Sequence, residues 1–170
     1  MNKRFKVIIA VFLIFAIIVS ICFVFATRVK IKNYSNANFI VKYDSTWKVK
    51  NNDNELDLIH KKTKSEIRIQ CKILDSNYID DTLVDLIDDI IYSIEQQNDG
   101  YELINRTSDV SSKYESYSFL YEKDDEQVLV NIYKKDAKLI LAYYKADSKY
   151  FDILLPSVDD IFNSIEFVFE

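Results

Sequence analysis

The sequence predicts an α+β domain, an α/β/α sandwich with a mostly antiparallel central sheet, preceded by one transmembrane helix. Three observations carry that expectation. An uninterrupted apolar run lies near the N-terminus, long stretches place apolar residues at every second position, and two later segments place them at every third and fourth. Helices of that length packed on strands joined by short turns build layers around one sheet.

The apolar run is Val7–Ala26, "VIIAVFLIFAIIVSICFVFA", with Ser20 as its one clearly polar member. As a helix rising 1.5 Å per residue it would span roughly 30 Å, the hydrocarbon thickness of a bilayer. A soluble core helix keeps a polar face over such a length, and this run has none. Its length favours a retained anchor over the shorter apolar core of a signal peptide, with cleavage after Val24-Phe25-Ala26 as the alternative. Lys3, Arg4 and Lys6 precede the run and Arg28, Lys30 and Lys32 follow it, so the positive-inside rule is nearly balanced. The short tail and the long acidic remainder favour a cytoplasmic N-terminus and an external domain. The expected organisation is a basic tail at 1–6, a membrane anchor at 7–26 contacting lipid, a stalk at 27–37 and an extracytoplasmic domain at 38–170. The expected location is the plasma membrane of a bacterial envelope.

Charge separates the two parts. Residues 1–32 hold six basic residues and no acid. The chain has 22 basic and 27 acidic residues, which leaves 16 basic against 27 acidic in residues 33–170, a net of −11. Nucleic-acid phosphate and anionic headgroups repel a domain of that sign, so nucleic-acid binding is excluded. An apolar fraction of 49% argues against disorder, and one Gly and one Pro exclude linker-like and low-complexity readings.

From Phe39 the pattern has period two. Phe39, Val41 and Tyr43 alternate along a strand, Asp44-Ser45-Thr46 forms a hairpin turn, and Trp47-Lys48-Val49 opens the next strand. "NNDN" at 51–54 is a second turn, and Leu56 and Leu58 mark a third strand. In "SEIRIQCKIL", Ile67, Ile69, Cys71 and Ile73 face one way and Arg68, Gln70 and Lys72 the other. Leu83, Leu86, Ile87, Ile90, Ile91 and Ile94 then repeat at helical spacing, with Asp80 or Asp81 as cap and Asp99-Gly100 as the end. Strands follow at 101–107, 114–122, 127–134 and 138–145. A closing helix contains Val158, Ile161, Phe162 and Ile165, with Pro156 near its first turn, and a short strand ends the chain.

Two stretches, "FIVKYDSTWKV" at Phe39–Val49 and "FDILLPSVDDIFNSIEF" at Phe151–Phe167, make the region from 38 onward resemble the PsbP-like domain family. The family usually has Pro after the aromatic, where this chain has Asp44. The resemblance implies an α/β/α sandwich and a non-enzymatic role in envelope or membrane-complex assembly. Photosynthetic members support a manganese centre, and no residue here carries that role over.

The residues themselves point to no chemistry. His60 is the sole His and belongs to no nucleophile–base motif, Cys/His metal spacing is absent, and one Gly excludes phosphate-binding loops. No cofactor is expected. Asp81, Asp85, Asp88 and Asp89 recur on one helix face, which reads as a solvated surface before it reads as a hard-cation site. Tyr114, Tyr117, Tyr121, Tyr133, Tyr143 and Tyr144 crowd the later strands, where an exposed subset would suit a protein interface. Two functions follow as expectations. The first is a non-enzymatic anchored domain that binds or helps assemble another envelope protein. The second is an envelope domain sensing a small ligand or cation in a cleft between sheet and helix.

Overall fold

Alternation of apolar and polar side chains and the low Gly and Pro content produce the antiparallel ladders of the computed structural model, which describes residues 30–51, 55–97, 100–110 and 114–169. The tail at 1–6, the apolar run at 7–26 and most of the turn at 51–54 lie outside the described residues. Among the described residues, no helix is long and apolar enough to cross a membrane.

The elements are β1 (Ile31–Ser35), β2 (Phe39–Asp44), β3 (Trp47–Asn51), β4 (Glu55–His60), β5 (Glu66–Ile73), a 3-10 turn (Ser76–Tyr78), α1 (Leu83–Gln97), β6 (Glu102–Val110), β7 (Glu115–Lys123), β8 (Glu126–Lys135), β9 (Lys138–Asp147), α2 (Ser148–Asn163) and β10 (Glu166–Phe167). They form a seven-stranded sheet in the order β3-β4-β5-β9-β8-β7-β6 and a three-stranded sheet in the order β1-β2-β10. The turns joining β7 to β8 and β8 to β9 hold Asp124 at φ 53° and Asp136 at φ 52°, positions where Asp tolerates the left-handed region.

The two helices cover opposite faces of the large sheet. Along β9, Leu139 and Leu141 pack with Leu83, Ile87 and Ile94 of α1. The intervening Ile140, Ala142 and Tyr144 pack with Phe151, Val158, Ile161 and Phe162 of α2. One strand thus serves two cores because successive side chains point to opposite faces. Burial fades along β5, where Ile67 and Ile69 are buried, Cys71 is half-buried and Ile73 is exposed, although the alternation puts all four on one face.

Four expectations change. Residues 31–35, expected in the stalk, form β1 and pair with β2 from Ile31 opposite Asp44 to Ser35 opposite Ile40. The Asp44-Ser45-Thr46 turn closes no hairpin and instead carries the chain from the small sheet to the large one. Strand β2 is paired along one side by β1, and on the other by β10 at Phe39 and Ile40. Beside β10, Ser164 Oγ accepts from Lys42 N at 2.8 Å.

The cap of α1 is Thr82 rather than Asp80 or Asp81. Thr82 Oγ1 accepts from Asp85 N at 3.3 Å, and Asp85 Oδ2 accepts from Thr82 N at 2.9 Å, a reciprocal capping box. Leu83 N also donates to Glu115 Oε2 at 2.5 Å, and Lys134 Nζ donates to Ile79 O at 3.1 Å, so neighbouring strands β7 and β8 hold the start of this helix. Finally, Pro156 lies inside α2, which begins at Ser148 with Asp147 as cap. An interior Pro costs a helix about 3 kcal/mol. The two turns before it persist because Phe151 is buried, stacks on Tyr144 at 4.8 Å between centroids, and accepts from the Tyr144 hydroxyl at 3.1 Å.

Trp47 is fully buried, and its indole Nε1 donates to Ser157 Oγ of α2 at 3.1 Å. Ser157 Oγ in turn donates to Asp44 Oδ2 at 2.8 Å. Trp47→Ala should therefore lose about 3–5 kcal/mol of unfolding free energy in urea denaturation. Ser157→Ala, which leaves a buried indole N–H unpaired, should lose about 1–3 kcal/mol. Thr82→Ala should lose about 1 kcal/mol by the same measurement.

Candidate functional site

Helix α1 covers only part of its face. Its buried partners come from β7, β8 and β9, and none comes from β3, β4 or β5. On those three strands residues such as Leu58 and Ile67 serve the opposite core, so the side chains left on the uncovered half are mostly polar, with Ile59 an exception. There a cavity of about 320 Å³ is lined by Lys50, Asp57, Arg68, Gln70, Tyr143 and Lys145, among others.

Cross-strand register assembles this groove. Arg68 lies between Asp57 on β4 and Tyr143 on β9, and Glu66 lies opposite Lys145. Arg68 Nε donates to Asp57 Oδ1 at 2.9 Å, and that hydrogen bond raises the guanidinium pKa above its ordinary value. Lys145 Nζ sits 2.8 Å from Glu126 Oε2, which also accepts from the Tyr101 hydroxyl at 2.9 Å. The hydrogen bond with Lys145 holds Glu126 below the usual carboxylate range and raises Lys145 in return. Burial pushes the Tyr143 phenol up, against a hydrogen bond with Gln70. The floor is therefore a neutral phenol, and the walls alternate cations with carboxylates. The described lining contains no His, Cys, Ser or Thr.

Of the tyrosines proposed for an interface, Tyr121, Tyr133 and Tyr144 are buried, so their rings are core contacts. Tyr114, Tyr117 and Tyr143 are half-buried. Tyr114 packs edge-on against Tyr133 at 5.1 Å, Tyr117 stacks on Phe119 at 6.0 Å, and Tyr143 alone of the set lines the groove. Strand alternation separates Tyr143 from Tyr144, which a count of aromatics does not reveal. The groove's charged residues escape sequence reasoning because they occupy the outward positions of ordinary alternating strands. The signal available is the pairing of Asp57, Arg68 and Tyr143, visible only once the register is known.

His60 and the helical acids are structural. His60 is buried outside the groove, its Nδ1 lies 2.8 Å from Thr63 Oγ1, and its ring meets Trp47 edge-on at 5.2 Å. Burial pushes the imidazole below its ordinary 6.5, against the pull of Asp44. Burial draws Asp44 upward, but hydrogen bonds from Thr46 and Ser157 outweigh it and leave the carboxylate below its ordinary value. On α1, the Asp85 carboxylate is occupied by Thr82, while Asp88 and Asp89 are exposed. Among the described residues, no group of three His, Cys, Asp or Glu converges on a metal position.

No protein-family model matches the sequence. No curated protein matches it either. Solved structures do match. Cyanobacterial PsbP (CyanoP) from Synechocystis sp. PCC 6803 superposes with a TM-score of 0.63 at 15% identity, over 81% of this chain and 92% of that one. LpqN of Mycobacterium tuberculosis, described as involved in cell envelope biogenesis, superposes with a TM-score of 0.55 at 5% identity, over 86% and 95%. The chain thus has a PsbP-like fold, as the stretches at Phe39–Val49 and Phe151–Phe167 lead one to expect. Asp44, in place of the family's Pro, accepts from Thr46 N at 2.6 Å and joins the turn to α2 through Ser157.

Because the unfolded chain protonates His60 more readily than the folded one does, folding stability should fall as the pH drops below about 6.5. The Asp44 contribution, present above 3.8, should be lost only at lower pH. The chain has one His, so urea midpoints followed from neutral pH downward should show the upper slope in the native protein and lose it in His60→Gln.

Proposed function

We propose that the chain is a single-pass, membrane-anchored extracytoplasmic domain of non-enzymatic character that binds or helps assemble another envelope protein. Residues 7–26 contact lipid, and the groove on β3, β4, β5 and β9 receives the partner. The observation that carries this reading is the half-sheet without a helix, where Tyr143, Gln70 and paired charges lie open to a polar protein segment. A phenol among hydrogen-bonding and charged groups is the composition that partner-binding surfaces favour. The apolar run supports the anchor, and the PsbP-like fold supports an assembly role by analogy only. Tyr114 and Tyr117 are secondary candidates for contact.

The size of the cavity favours one second reading. About 320 Å³ lies at the lower bound for small-molecule sites, so a small ligand or a cation is the alternative occupant.

Crosslinking of the full-length protein in native membranes distinguishes them. One dominant envelope protein should be recovered in near-stoichiometric amount and lost with a folded Tyr143→Ala, Lys50→Glu double variant. Recovery of background alone, from membranes in which the protein is abundant, removes the partner reading. A rise in melting temperature with a metabolite or cation, absent in the double variant, establishes the alternative.

A further inference from the structure

The groove leaves one charged feature unused. The turn from β4 to β5 reads Lys61-Lys62-Thr63-Lys64, three cations without an acid in a domain whose net charge is −11. All three lysines are exposed. The turn is held firmly from within. His60 N donates to Ser65 O at 2.8 Å, Lys64 N donates to His60 O at 3.1 Å, and Thr63 Oγ1 lies 2.8 Å from Ser65 Oγ. It is also bound to its neighbour, since Lys61 N donates to Thr46 O at 3.0 Å and Lys61 Nζ to Ser45 O at 2.5 Å.

That neighbour fixes the location. Ser45 and Thr46 follow Asp44, and Asp44 lies opposite Ile31 at the start of β1. The lysine turn therefore sits at the end of the domain where the chain enters. Only the four residues 27–30 join the apolar run to Ile31, and at full extension Ala26 and Ile31 are at most about 18 Å apart. Lys30 and Lys32 flank Ile31, which is 65% exposed. The carboxylate nearest Lys32 in sequence, Asp44, is engaged by Thr46 and Ser157, and Glu66, two residues past Lys64, lies 3.5 Å from Lys50 Nζ. At the same end of the large sheet, the turn between β7 and β8 carries Asp124 and Asp125, which an anionic surface repels.

We infer that Lys61, Lys62 and Lys64, with Lys32, form a contact surface for the anionic phospholipid headgroups of the membrane that anchors the chain. The contact orients the domain with its β3–β4 edge toward the bilayer and the acidic β7–β8 turn away from it. The inference rests on the anchor at residues 7–26. Anionic headgroups attract basic segments within about a Debye length, and the tether keeps this turn in reach while the acidic remainder is pushed outward. Overall charge opposes membrane association, and the arrangement of charge at one end reverses that locally.

Full-length protein in vesicles of phosphatidylglycerol or of phosphatidylcholine, treated with an amine-acetylating reagent, tests this by peptide mass spectrometry. Acetylation of Lys61, Lys62 and Lys64, relative to Lys72 at the far end of β5, should be severalfold lower in phosphatidylglycerol. The difference should vanish at about 0.5 M salt, where screening is short-ranged. Equal labelling in the two lipids, with the protein resistant to carbonate extraction, overturns the headgroup contact and leaves the anchor standing. Release by carbonate removes the anchor and the inference together. Protection that depends on protein density and not on lipid identifies a second copy as the occupant and also overturns it. A Lys61→Glu, Lys62→Glu, Lys64→Glu variant with unchanged circular dichroism should leave Lys32 equally labelled in both lipids, and persistence of its protection counts against a shared surface.

Discussion

The seat of Trp47 between the turn and α2 is the constraint on which the rest of the structure depends. The chain must leave a three-stranded sheet and enter a seven-stranded one within two residues, and the side chain that follows is the largest in the molecule. Burying it stabilises the core, but the indole N–H then requires an acceptor. Ser157 supplies the acceptor and donates its own hydrogen bond to Asp44, which also accepts from Thr46. One line of hydrogen bonds thus joins the turn, the first strand of the large sheet and the last helix, over more than a hundred residues of sequence separation. His60 fills the remaining side of the indole, which explains why the sole His is buried and its charged form disfavoured.

With α2 fixed on one face, the position of α1 on the other decides what is left open. Glu115 on the Leu83 amide and Lys134 on the Ile79 carbonyl hold the start of α1 over β7 and β8. The helix therefore covers the side of the sheet away from β3, β4 and β5. Those strands are apolar toward α2 and mostly polar toward solvent, where Arg68 pairs with Asp57 across the register. A phenol and several hydrogen-bonding groups converging on an open half-sheet suit recognition.

Much of the fold was legible in the residues. Period-two alternation located β2 to β5 and β7 to β9, and helical spacing located α1 and the second half of α2. The misreadings share a cause. Thr82 displaced Asp80 and Asp81 as cap because Asp85 three residues on completes a reciprocal pair. The first turns of α2 were lost to the rule that places Pro at a helix start, although Phe151, Leu154, Leu155 and Val158 keep helical spacing across Pro156. The turn before Trp47 was read as a hairpin because local signals describe a reversal of the chain and not which strand edge is free.

The sequence by itself determined the types and order of the strands and α-helices from β2 onward and the contrast between a basic, apolar N-terminal part and an acidic domain, since these depend on side-chain periodicity and composition along the chain. Only the tertiary structure decided which tyrosines are buried, which half of a sheet face lacks a helix, and that Lys61–Lys64 and Ile31 share one end of the domain. Those outcomes depend on strand register and edge occupancy, and both are set by pairings between residues far apart in sequence, on which local propensity places no constraint.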